Sequence, residues 1–188
     1  MKRSCKSVGV ASLSRRGLLL ATGGASLAVL LPRELLAADG AEKAYHGTYK
    51  FDGGDKERDA RDAAIEGVVS ELNILIRSIA RDRLKAAMAI QKTITITSDA
   101  TNLSISLDSL VYAAPIAGGT VKVTGVTGDK LDLSYGISSA KIDQKFKGDE
   151  GGRTNTFTKS GDKLVMNVRV YSDKLPKDLK FKLTYKKS

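Results

Sequence analysis

The chain has 188 residues and a formal net charge of +10, from 31 basic and 21 acidic side chains. It holds one histidine, one cysteine and no tryptophan, which excludes a zinc site built on several nitrogen or sulfur ligands and a disulfide framework. The length suits a single domain of about 100–200 residues.

Residues 1–16 are polar and carry Lys2, Arg3, Lys6, Arg15 and Arg16 without an acid. Gly17 to Leu31 is apolar and small, shorter than the ~18–20 residues a membrane span needs. Pro32 follows, then Leu35-Leu36-Ala37-Ala38 before Asp39. Basic region, apolar region and small-residue cleavage site in that order predict an export signal over 1–38 and a mature chain over 39–188. Ser14-Arg15-Arg16-Gly17-Leu18-Leu19 resembles the twin-arginine motif of bacterial export signals. The resemblance implies passage in a folded state through the twin-arginine translocase, to the periplasm or beyond. An ordinary secretory signal is the alternative, since adjacent arginines also occur there. Cys5 lies in the basic region, so the mature chain has no cysteine and no lipid-attachment site after the apolar run. Without 1–38 the chain keeps 25 basic and 20 acidic residues. That moderate excess bears on solubility and is too evenly spread for a nucleic-acid footprint.

Tyr45, Tyr49 and Phe51 alternate with His46, Thr48 and Lys50, the two-residue period of a strand, and Gly53-Gly54 ends it. Asp55 to about Ile90 reads as one long helical segment. Asp55, Glu57 and Asp59 suit its positive end. Ile65, Val68, Val69, Leu72, Ile76 and Ile79 recur at three-and-four spacing as one buried stripe, with a kink expected near Arg81-Asp82. After Thr93 the period becomes two. Ile94/Ile96, Leu103/Ile105/Leu107, Leu131/Leu133/Tyr135/Ile137, Ile142/Gln144/Phe146, Leu164/Met166/Val168/Val170 and Leu179/Phe181/Leu183/Tyr185 each fall on one side of a strand. Turn signals about every ten residues favour antiparallel neighbours, because parallel pairing needs crossovers for which there is no room. The fold class expected is α+β: one long N-terminal helical segment packed on a strongly curved or closed antiparallel sheet of about 8–10 strands.

Strand, helical insert, then about nine antiparallel strands over Tyr45 to Lys187 resembles the calycins, the lipocalin and fatty-acid-binding group. That resemblance implies a ligand-holding barrel. The Arg-X-Tyr pattern of the fatty-acid-binding branch is half met: Leu183-Thr184-Tyr185 supplies the tyrosine without the arginine. The lipocalin Gly-X-Trp signature is absent.

The chemistry legible in the residues is sparse. His46 alone makes no metal site and no catalytic triad without distant partners. Asp52, Asp55, Asp149 and Glu150 sit in turns and lack the spacing of a calcium loop. A carboxylate hydrolase is the reading they would serve, and no catalytic residue is assigned. Neither Gly118-Gly119 nor Gly151-Gly152 opens a helix after a strand, so no phosphate loop is indicated. No metal and no cofactor are expected. On a hundred-degree wheel Arg83 shares a side with Leu72, Ile76 and Ile79, and a buried arginine needs an anionic partner. Asn73 and Arg77 flank the stripe. Tyr135 and Tyr185 fall on the apolar sides of their strands, each with a hydroxyl that seeks a partner when buried. The ligand-binding set expected is therefore Asn73, Arg77, Arg83, Tyr135 and Tyr185. The function expected is an exported soluble carrier of an apolar or weakly acidic small molecule. The alternative is a periplasmic structural or interaction protein with a filled core.

Overall fold

The structure, a computed structural model, describes residues 40–188. Ser14, Arg15, Arg16 and the 1–38 boundary lie outside the described residues.

A 3-10 turn over Ala41–Tyr45 leads into β1, Gly47–Phe51. Two helices follow, α1 over Gly54–Val69 and α2 over Arg77–Ala87. Then come β2 Thr93–Ser98, β3 Asn102–Leu107, β4 Leu110–Pro115, β5 Val121–Thr124 and β6 Lys130–Ile137. The chain ends through β7 Ile142–Lys147, β8 Gly151–Ser160, β9 Lys163–Ser172 and β10 Leu179–Lys187.

All ten strands form one antiparallel sheet in the order β4-β3-β2-β1-β10-β9-β8-β7-β6-β5. Strands consecutive in the chain are neighbours in the sheet, apart from β4 and β5 at its two edges, and β1 also takes β10 beside it. The sheet curls into a nearly closed barrel. β4 and β5 are its two edges and share no ladder, yet the hydroxyl of Tyr135 on β6 reaches the carbonyl of Tyr112 on β4 at 2.8 Å. Tight turns fix the register. Ser160 pairs with Lys163 around Gly161-Asp162, and Gly161 takes the left-handed φ of +60° that such a two-residue turn requires. Alternation sends Ile94, Ile96, Leu103, Ile105, Leu133, Ile142, Phe157, Leu164 and Met166 inward, all fully buried.

The expectation of one long helix is corrected. α1 stops at Val69, and Asn73 turns extended (ψ 136°) while its side chain accepts from the Leu75 backbone N–H at 3.0 Å. An asparagine that caps the next turn cannot also continue the helix before it. The break thus falls at 70–73 and not near Asp82, which lies inside α2. Helical phase is lost across it. Ile65, Val68 and Val69 are buried as the stripe requires. Leu72 is half-buried, and Ile76 and Ile79 are exposed at 48% and 56%. Within α2 the inward side is instead Ala80, Leu84 and Ala87.

Polar contacts seat the helices. The Glu57 carboxylate accepts from the Thr184 backbone N–H (2.6 Å) and hydroxyl (2.7 Å), taking the place of a strand partner where β1 has already ended. Arg81 grips Glu66 with two hydrogen bonds of 2.6 and 2.9 Å and joins α2 to α1. That contact holds the Glu66 carboxyl below its usual range.

Candidate functional site

A cavity of about 650 Å3 opens at one end of the barrel, within the ~300–1,000 Å3 of small-molecule sites. Its rim is made by the end of α2 (Arg83, Ala87, Met88), the β5–β6 turn around Val126, the β7–β8 turn at Gly148–Gly151 and the end of β9. Inside, Leu107, Tyr112, Leu131, Phe146 and Val170 give an apolar wall with Arg153 among them. Tyr112 and Phe146 meet edge to face, ring centroids 4.9 Å apart. Close backbone approach shapes the rim. A Cβ on Gly152 would stand 2.4 Å from the Phe146 carbonyl oxygen, so no larger residue fits there without displacement.

Arg153 is the distinctive group. Alternation along β8 sends Arg153, Asn155 and Phe157 inward, while Thr154, Thr156 and Thr158 face out. Arg153 Nε donates to Asn155 Oδ1 at 2.7 Å, and Nη1 reaches the Ala87 carbonyl at the end of α2 at a long 3.4 Å. Among the described residues no carboxylate pairs with it. The helix-end carbonyl offers a partial negative charge only. Burial pulls the guanidinium down to about 10, still charged at neutral pH. The same cation opposes the burial-driven rise at the Tyr112 and Tyr185 hydroxyls, which places all three in one electrostatic neighbourhood. Tyr185 is fully buried, and its hydroxyl has no hydrogen-bond partner. A buried hydroxyl without a partner is uncommon in a folded core.

A polar row continues from Arg153. Register places Tyr135 opposite Gln144 and Gln144 opposite Asn155, across β6, β7 and β8. Asn155 Nδ2 donates to Gln144 Oε1 (2.8 Å), Gln144 Nε2 to Tyr135 Oη (3.1 Å), and Tyr135 Oη to the Tyr112 carbonyl (2.8 Å). Gln144 and Asn155 are fully buried. Burial pushes the Tyr135 hydroxyl well above its ordinary range, so it stays protonated and able to donate.

The five residues expected from the sequence separate. Asn73 is exposed in the α1–α2 turn, and Arg77 donates to the Leu72 carbonyl at 2.9 Å. Neither lines the cavity. Arg83 does stand at the rim, but it is exposed rather than buried on a stripe, because its side of α2 faces water. Tyr135 and Tyr185 are buried in the barrel, behind the cavity wall. His46 donates or accepts toward the Ser98 hydroxyl at 2.8 Å, away from the cavity. Among the described residues no group of three or more His, Cys, Asp or Glu side chains is placed to hold a metal. Arg153, Asn155 and Gln144 were not singled out in the sequence. For Arg153 and Asn155 the signal was two polar residues at alternate positions of one strand, visible once the face of β8 is assigned; Gln144 already fell on the side of Ile142 and Phe146.

No protein-family model and no curated protein sequence matches the chain. Among solved structures, the chain is similar to apo lipid binding protein 8 of Caenorhabditis elegans, with a TM-score of 0.50 at 12% identity, over 78% of this chain and 96% of that one. It is also similar to a REP1-NXSQ fatty acid transporter (TM-score 0.49, 17% identity, 78% of this chain and 97% of that one). A fatty-acid-binding protein from Manduca sexta gives a TM-score of 0.49 at 17% identity, over 76% of this chain and 98% of that one. The first of these likenesses bears on the fold alone, a nearly closed antiparallel barrel.

Proposed function

We propose that the mature chain is an exported, soluble carrier that holds an apolar small molecule with an acidic end. The observation that carries this reading is Arg153: a half-buried cation facing an apolar cavity, with no carboxylate partner among the described residues. A charge in that setting costs stability unless something else compensates it. A ligand carboxylate supplies the missing partner, and a guanidinium holds one with paired, charge-assisted hydrogen bonds. The wall of Tyr112, Phe146, Leu107 and Val170 takes the apolar body, the division of labour usual in such sites. The lipid binding protein named above has the same fold, in keeping with this reading.

Native mass spectrometry of the protein purified from its own host tests it. The expected result is an added mass of one small acid that leaves on denaturation. Protein that carries no such mass and takes up no long-chain carboxylate when one is added contradicts the carrier reading. The interaction reading would then rest on the exposed apolar tip at Ile74, Leu75, Ile76 and Ile79.

Export through the twin-arginine route, and residence in the periplasm or outside the cell, are part of the same proposal and rest on Ser14-Arg15-Arg16 and the apolar run after them. Changing Arg15 and Arg16 together to lysine is expected to leave the precursor in the cytoplasm. Undiminished export of the double variant excludes that route.

A further inference from the structure

The barrel has one seam, between β4 and β5, where no ladder hydrogen bond joins the sheet's edges. Two side chains bridge across it from the far side: Tyr135 of β6, bonded to the Tyr112 carbonyl, and Phe146 of β7, packed on the Tyr112 ring. Tyr135 is also the last member of the polar row that begins at Arg153. The row therefore runs, bond by bond, from the cavity's cation to the backbone of an edge strand.

Its direction is fixed at both ends. A guanidinium only donates, so Asn155 must turn its oxygen to Arg153 and its nitrogen to Gln144. Gln144 must then turn its nitrogen to Tyr135, and the Tyr135 proton is left for a carbonyl, which only accepts. One orientation satisfies every member, and reversing any amide breaks two bonds. Such a chain is polarised in one sense along its length, and its links support one another. It sits in a fully buried setting where water cannot replace a lost link. The end at Arg153 is the less constrained one, held by a 2.7 Å bond at Nε and a long 3.4 Å contact at Nη1.

We infer that Gln144, Asn155 and Tyr135 are positioning residues that couple the Arg153 anion site to closure of the β4–β5 seam. An anion on the terminal nitrogens pins the guanidinium plane, pins Asn155 behind it, and through the row tightens β4 against β6. Linkage is reciprocal: loosening the seam end weakens anion binding, although Tyr135 is not part of the cavity wall. The inference deepens the carrier reading and rests on it for the identity of the anion, but the coupling itself belongs to the ligand-free protein.

Hydrogen exchange resolved by segment tests it on the mature chain, using hexadecanoate as the probe. In ligand-free protein, Arg153→Met is expected to speed exchange of the 110–115 amides by about threefold or more, with the 93–98 amides on the opposite wall unchanged. Tyr135→Phe, which removes a single hydroxyl at the other end of the row, is expected to do the same. It is also expected to weaken hexadecanoate binding by about three- to tenfold. Bound hexadecanoate is expected to slow exchange at 110–115 in wild type but not in Tyr135→Phe at saturation. If 110–115 exchanges at the wild-type rate in both variants, the coupling is overturned, whether or not the probe binds. If both variants loosen 110–115 while wild type binds no hexadecanoate, the coupling stands and the carrier reading fails.

Discussion

The two walls of the barrel are built differently. Across β1 to β3 the inward positions are Tyr49, Ile94, Ile96, Leu103, Ile105 and Leu107, and the wall is apolar throughout apart from the phenol at 49, which bonds the Tyr45 carbonyl. Across β6 to β8 the inward row is Tyr135, Gln144 and Asn155, with Arg153 one step along the same face. Apolar burial is non-directional and stabilises in proportion to area. A buried polar row stabilises little and fails sharply when one member is lost. The apolar wall therefore carries stability, and the polar wall spends part of that stability on holding a cation in a fixed orientation.

Substitutions on each wall separate these roles. The largest loss is expected from Ile105→Ala, which opens a void in a fully buried wall: about 2–5 kcal/mol by denaturant unfolding. A loss well under 1 kcal/mol would mean the wall is loosely packed and the contrast is overstated. Asn155→Ala is next, at about 1–3 kcal/mol, because Gln144 Oε1 loses its partner in the buried interior and Arg153 Nε loses its own at the cavity wall. Arg153→Met is expected to fall within about 1 kcal/mol of wild type, since the lost bond to Asn155 is offset by removal of a half-buried charge that has no anionic partner. A cost of several kcal/mol would make Arg153 a structural group. The smallest effect is expected from Tyr185→Phe, neutral or stabilising by up to about 1 kcal/mol, because it removes a hydroxyl that has no partner. Marked destabilisation there would reveal a partner for that hydroxyl in the folded protein.

The same contrast explains how much was legible in the sequence. The apolar wall was: Ile94/Ile96 and Leu103/Ile105/Leu107 alternate cleanly, and nine strands with short turns emerge where the period becomes two. Tyr135 and Tyr185 were placed on their inner faces by the same alternation. The polar wall was legible only in part: alternation put Gln144 on the side of Ile142 and Phe146, but periodicity marks a buried face by its apolar residues, and the strand that carries Arg153 and Asn155 has too few of them to assign its face. The helices fail for a different reason. A wheel carried through 70–73 assumes unbroken helix, but Asn73 caps the following turn, so every phase assigned after it shifts. Arg83 and Ile79 do share a side, as the wheel had it, and that side faces solvent. An asparagine inside a helical run was the available warning. The arginine sought on the last strand beside Tyr185 stands instead on β8, two strands away in the sheet.

The most direct test of the account is calorimetric titration of the mature chain with hexadecanoate and with its methyl ester, in wild type and in Arg153→Met. The two ligands share an apolar body and differ in charge, so their ratio isolates the anchor from the wall. The account predicts that wild type favours the acid by about tenfold or more, and that Arg153→Met loses this preference while still binding the ester with little change. Equal affinity of wild type for acid and ester, or an undiminished preference for the acid in Arg153→Met, would contradict it.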